Sequence, residues 1–252
     1  MATEETERSP FTRPGFIIST IVIALILVLG VVIGIVNITR QDPEAAPTTS
    51  ASSAPTSAAP TTEAPQAPEG DSVCGLPGVV TGDARLTKPP AADEWQYHGT
   101  AAYPTSAEFG PAATADEGYR YCYQHSPEGA VFASAYASIA GADPAIGVQW
   151  FKYFAAPGPY REQFTQKATT TSSGESPDMR MRIAGYRLLS YDGDSATVDI
   201  AIVVSIKGQT VTMSAVYPLV WVEGDWKLST ETPDPGGVAS IPDLTGYTPW
   251  GE

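Results

Sequence analysis

The feature that most constrains this chain is a run of 21 uncharged residues, Phe16–Val36, in which Ser19 and Thr20 are the only polar side chains. As an α-helix, a run of this length rises roughly 30 Å, the thickness of a bilayer's hydrocarbon core. A core helix that is apolar on every face is hard to house in a small domain. The competing reading is a cleaved signal peptide, whose apolar region runs about 7–15 residues and ends in a small-residue site. Here the run is longer and continues into Asn37-Ile38-Thr39-Arg40, which offers no such site. The expectation is a retained, single-pass transmembrane helix over residues 16–36. Arg8, Arg13 and the α-amino group precede it, against Arg40 alone just after it. Basic flanks stay in the cytoplasm, so the C-terminal part is expected outside.

The remaining chain divides around that helix. Residues 1–15 are polar, lack apolar periodicity and read as a cytoplasmic tail. Residues 37–72 read as a linker; from Gln41 to Ser72 they are mostly Ala, Pro, Thr and Ser, with no aromatic residue. Such a segment cannot bury enough apolar surface to offset the entropy of ordering. Extended, it reaches at most roughly 100 Å, the span of a stalk that holds a domain off a membrane. Residues 73–252 carry all five Trp, all 12 Tyr and both Cys, and are expected to form the extracytoplasmic domain. The formal net charge of −14 speaks against direct nucleic-acid binding, which needs a basic surface. Asparagine occurs once, at Asn37, while Ala, Gly, Pro and Thr abound. Those are residues with GC-rich codons, so the expected location is a bacterial cell membrane.

Within the domain, residues 73–125 are rich in Gly, Pro, Ala and Asp and read as an irregular lead-in over the core. Ser126-Pro127-Glu128 is a helix start: Ser caps, Pro takes the first helical position and Glu sits at the positive end. Phe132, Tyr136 and Ile139 share one helical face and Gly141 supplies the stop. Asp143-Pro144 and Pro159 open two further helical segments. From Met179 the period changes from 3.6 to 2. Four alternating runs follow, separated by turns at Asp192-Gly193-Asp194, Lys207-Gly208 and Glu223-Gly224-Asp225. Short Gly-containing turns between alternating runs predict consecutive hairpins. The expected class is α+β, with helices packed on a curved four-stranded antiparallel sheet. Tyr247 and Trp250 are expected to pin the tail back onto the domain.

Two stretches of text carry a resemblance: Cys74-Gly75-Leu76-Pro77-Gly78, and Tyr121-Cys122-Tyr123-Gln124-His125-Ser126-Pro127-Glu128-Gly129-Ala130, together with the ending Pro249-Trp250-Gly251. They resemble an uncharacterised membrane-anchored family of actinobacterial integrative and conjugative elements. The order of anchor, stalk, helices and meander resembles the nuclear transport factor 2-like cone of TcpC-like proteins and type IV secretion inner-membrane scaffolds. The resemblance implies a non-catalytic scaffold or assembly part of a DNA-transfer apparatus, without cofactors. Its partners would be other membrane or envelope proteins, a second copy of the chain included. The alternative function is a membrane-tethered binding module for a small molecule or an envelope polymer.

Candidate chemistry is sparse. Cys74 and Cys122 are the only cysteines and fall where thiols oxidise, so a disulfide is expected; two buried free thiols are the other reading. Neither histidine, His98 or His125, has a second metal ligand at a motif spacing, so no metal site is expected. Ser126 beside His125 reads as a helix cap rather than a nucleophile. No phosphate-binding or nucleophile motif occurs. Arg180, Arg182 and Arg187 cluster on the first strand of the meander and are the candidate partner-binding residues. Asp199, opposite in phase to Val198 and Ile200, is expected to face solvent.

Overall fold

The structure, a computed structural model, describes residues 72–251 apart from 142, 144 and 172–178, and omits the side chains of 168–171. The apolar run at 16–36 and the stalk lie outside the described residues. Among those described, no helix is long and apolar enough to cross a membrane.

The alternating half forms the predicted hairpins. Strands β5 (Met179–Tyr191), β6 (Ser195–Ile206), β7 (Gln209–Val222) and β8 (Asp225–Leu228) pair antiparallel in succession. The turns after β6 and β7 place Lys207-Gly208 and Glu223-Gly224 at positive φ, the two-residue geometry that matches strand twist. Three helices accompany them: α1 (Pro127–Ala140), which packs on the strands, α2 (Gly147–Phe154), which meets β8, and α3 (Arg161–Thr171), which packs on α2. The α1 cap is as read: Ser126 Oγ accepts the Gly129 N–H at 3.0 Å. Every residue of α1 but Glu128 is buried, so this Ala-rich helix is enclosed rather than laid on a surface.

The four-stranded α+β cone is corrected. The main sheet has eight strands and mixed direction, and the domain is mostly β with only three short helices among the described residues. The lead-in supplies a hairpin, β1 (Glu94–His98) and β2 (Ala101–Thr105), turning at Gly99-Thr100. All of β2 is buried, and it runs parallel to β5 through Ala101↔Met181 and Ala102↔Arg182. The sequence reading missed this hairpin because its strands are short and interrupted by Pro104, which weakens the period-2 signal. A small separate ribbon, β3 (Ala113–Thr114) with β4 (Arg120–Tyr121), precedes α1.

The tail contributes the last two strands. β9 (Gly237–Ser240) pairs with β7, while β10 (Thr248–Pro249) pairs with β5. β6 occupies the shared edge of both β5 and β7, so residues 241–247 must cross the sheet from one outer edge to the other. Gly185 makes room for the landing: a Cβ there would stand 2.8 Å from the Thr248 carbonyl. Trp250 then enters the core at 6 % exposure, edge-on to Phe132 and Tyr186, and its Nε1–H donates to the Pro90 carbonyl. The tail is a strap rather than a loose end.

Candidate functional site

Two polar hubs are built around the fully buried carboxylates Asp225 and Asp199. The first surrounds the disulfide. Cys74 and Cys122 are bonded, with Cα atoms 6.0 Å apart, and Cys122 adopts φ 71°. Beneath it lies Asp225, fully buried. Oδ2 accepts the Cys122 N–H at 2.8 Å and the Tyr153 hydroxyl at 2.7 Å. Oδ1 accepts the N–H groups of Tyr123 and Trp226, each at 2.9 Å. One carboxylate thus joins the lead-in, α2 and β8. Burial pushes Asp225 up to about 6, against the pull of those four donors, which favour the charged form. Tyr153 is raised by the same burial and by the Asp225 charge. Lys227 covers the Tyr153 ring at 4.6 Å and pairs with Glu223.

The second hub holds the strap. Asp199 is fully buried, contrary to the expectation that it faces solvent. Its Oδ1 accepts from Ser214 Oγ at 2.7 Å; its Oδ2 accepts from the Tyr247 hydroxyl at 2.8 Å and from Arg187, through Nε and Nη2. The Arg187 guanidinium also stacks over the Tyr247 ring at 4.3 Å. β6 is buried on both faces, because α1 covers one and the strap crosses the other. The signal was present: Ile200-Ala201-Ile202-Val203-Val204 is a continuous apolar run, which marks a strand buried on both sides. Asp225 left no such signal, since a Glu-Gly-Asp turn reads as solvent-exposed.

The three candidate arginines therefore separate. They share one face of β5, opposite Ser205, Val203 and Asp199 respectively. Arg187 is spent on Asp199, while Arg180 and Arg182 are exposed and make no ion pair among the described residues. The histidines are also structural. His98 pairs with Asp143. His125 is 5 % exposed, stacks on Trp221 at 4.1 Å, and donates from Nε2 to the Gly193 carbonyl at 2.7 Å. Burial holds its pKa below the ordinary value, so it is neutral at pH 7.

The family known as a domain of unknown function, DUF8175, matches residues 53–249, most of the chain. The chain belongs to the DUF8175 family. No curated protein and no solved structure matches it significantly. The DUF8175 match takes in part of the Ala- and Pro-rich segment, both cysteines, both hubs and the strap up to Pro249. Among the described residues of this DUF8175 domain, surface depressions lie away from both hubs. One, of about 510 Å³, is lined by Lys152, Gly158, Pro159, Arg161, Glu162 and Thr165. The other, of about 380 Å³, includes Arg85, Lys88, Pro90, Glu108, Phe109 and Glu128. Among the described residues no cluster of three His, Cys, Asp or Glu side chains could hold a metal ion.

Proposed function

We propose that this chain is a membrane-tethered, non-catalytic scaffold domain on the outer side of a bacterial cell membrane. One observation carries the reading. The fully buried carboxylates Asp199 and Asp225 are saturated by donors from distant segments, so they serve as internal clamps. Reactive-type side chains spent this way make a domain that holds its shape and meets partners at its surface. The tether is residues 16–36, with the Ala- and Pro-rich segment as its stalk. On the domain, Arg180 and Arg182 offer two adjacent guanidinium groups for an acidic partner surface. The finer reading, a part of a conjugative DNA-transfer apparatus of an actinobacterial integrative element, is supported by the resemblance of the cysteine segments.

The experiment combines topology and transfer. Protease added to intact protoplasts should remove residues 73–252 and leave an anchored stub. Arg180→Ala with Arg182→Ala should lower conjugative transfer at unchanged melting temperature. Full protection of the domain overturns the topology, and normal transfer by a strain lacking the whole chain overturns the role.

A further inference from the structure

The first three residues of the folded domain are each fastened to parts of the fold far along the sequence. Ser72 is 3 % exposed, with Oγ 3.3 Å from Cys122 Sγ. The Val73 N–H donates to the Gly224 carbonyl at 2.7 Å, in the turn between β7 and β8. Cys74 is bonded to Cys122, and its N–H points at Cys122 Sγ at 3.3 Å. Their receiving point is held in turn. The Cys122 and Tyr123 N–H groups donate to the two oxygens of Asp225, at the start of β8. Ser126, four residues beyond Cys122, caps the enclosed α1.

Cys74 and Cys122 stand 48 apart in sequence, so residues 75–121 form a closed loop that holds β1 to β4. The opening part of that loop is attached by hydrogen bonds spaced along the chain. Gln124 donates to the Pro77 carbonyl at 2.8 Å and the Val80 N–H to the His125 carbonyl at 2.9 Å. Tyr191 donates to the Val80 carbonyl at 2.7 Å and Tyr186 to the Lys88 carbonyl at 2.8 Å. β2 then meets β5 through two register pairs. Pulled from residue 72, such contacts would be stressed one after another, and a segment held by few contacts opens before the core does.

We propose that the Cys74–Cys122 bond, with Ser72 and Val73, is a force bypass. Tension arriving from the N-terminal side passes from Cys74 directly to Cys122, Asp225 and α1, and residues 75–121 stay unloaded. Without the bond the same pull peels the lead-in and strips β1–β2 from β5 before the core is stressed. A crosslink that served only to restrict the unfolded chain would have no need to sit within the first three residues of the fold; Cys74 does. The inference rests on the reading that residues 16–36 tether the domain to a membrane, because only then does a pull enter at Ser72.

The test is single-molecule force spectroscopy on the full-length chain, reconstituted in phosphatidylcholine bilayer discs. The second handle is a thioether on Gln209→Cys, an exposed position at the start of β7. Each molecule is pulled before and after reductant, so the comparison does not depend on a cysteine-free variant folding. The oxidised chain should unfold without a lead-in step. The reduced chain should show an added, earlier step at lower force, lengthening the chain by up to roughly 160 Å for residues 75–121. Asp225→Asn in the oxidised chain should lower the unfolding force at unchanged extension. A reduced chain that unfolds in one step, at the same force or at a lower one, overturns the bypass; an unfolding force untouched by Asp225→Asn removes its receiving point and overturns it too. Protease accessibility in protoplasts reads the tether's topology, which does not enter the force measurement, so the two readings fail separately.

Discussion

Asp225→Asn tests whether that carboxylate is a clamp. The change keeps shape and volume but replaces one acceptor oxygen by a donor amide. Four donors converge on the native carboxylate, two on each oxygen. The best amide orientation keeps its oxygen toward the N–H groups of Tyr123 and Trp226 and turns its nitrogen toward Cys122 and Tyr153. The Tyr153 oxygen can accept from that nitrogen, but the Cys122 N–H is stranded. One orphaned buried donor costs about 1–3 kcal/mol. Asp225→Ala strands all four and should cost at least about 4 kcal/mol. The pH dependence supplies the signature. Asp225 is raised from 3.8 to about 6 in the folded state, so folding takes up a proton between those values. Its contribution is fully present below about 4 and is lost as pH rises through about 6. The stability gap between wild type and Asp225→Asn should therefore narrow from pH 4 to pH 7, by about 3 kcal/mol for a shift of this size. Denaturant unfolding at intervals across that range measures the gap. A gap that widened toward pH 7, or an Asn variant as stable as wild type throughout, would refute the clamp.

Two other outcomes are expected. Cys74→Ser with Cys122→Ser should lose about 4 kcal/mol, the chain entropy of a crosslink between residues 48 apart, measured by denaturant unfolding with and without reductant; an unchanged midpoint would count against it. Arg187→Ala strands the buried Asp199 carboxylate and should cost about 2 kcal/mol, less than the full cost of an unpaired buried charge because the Arg187 side chain is 40 % exposed. Hydrogen exchange should then rise first at Thr245–Tyr247 of the strap, and uniform exchange across the sheet would argue otherwise.

Local signals in the sequence determined a good deal. Ser126-Pro127-Glu128 set the start of α1, because a cap, a fixed φ and a favourable charge act within four residues. The turns at Gly193, Gly208 and Gly224 set the order and antiparallel pairing of β5 to β8, because positive φ and period-2 alternation are local properties. Two cysteines alone permitted one intrachain bond, and that bond is present. Tertiary structure decided what depends on contacts between distant segments. The β1–β2 hairpin joins β5 in parallel, a pairing no turn encodes. The strap crosses β6 because β5 and β7 each have only one edge left, and that crossing is what buries Asp199 beneath Tyr247 and assigns Arg187 to it. Asp225 became the centre of a clamp because the disulfide junction, α2 and β8 converge on it across more than 100 residues of sequence. Periodicity records which side of an element is apolar; whether something later covers the other side is settled only when the whole chain has packed.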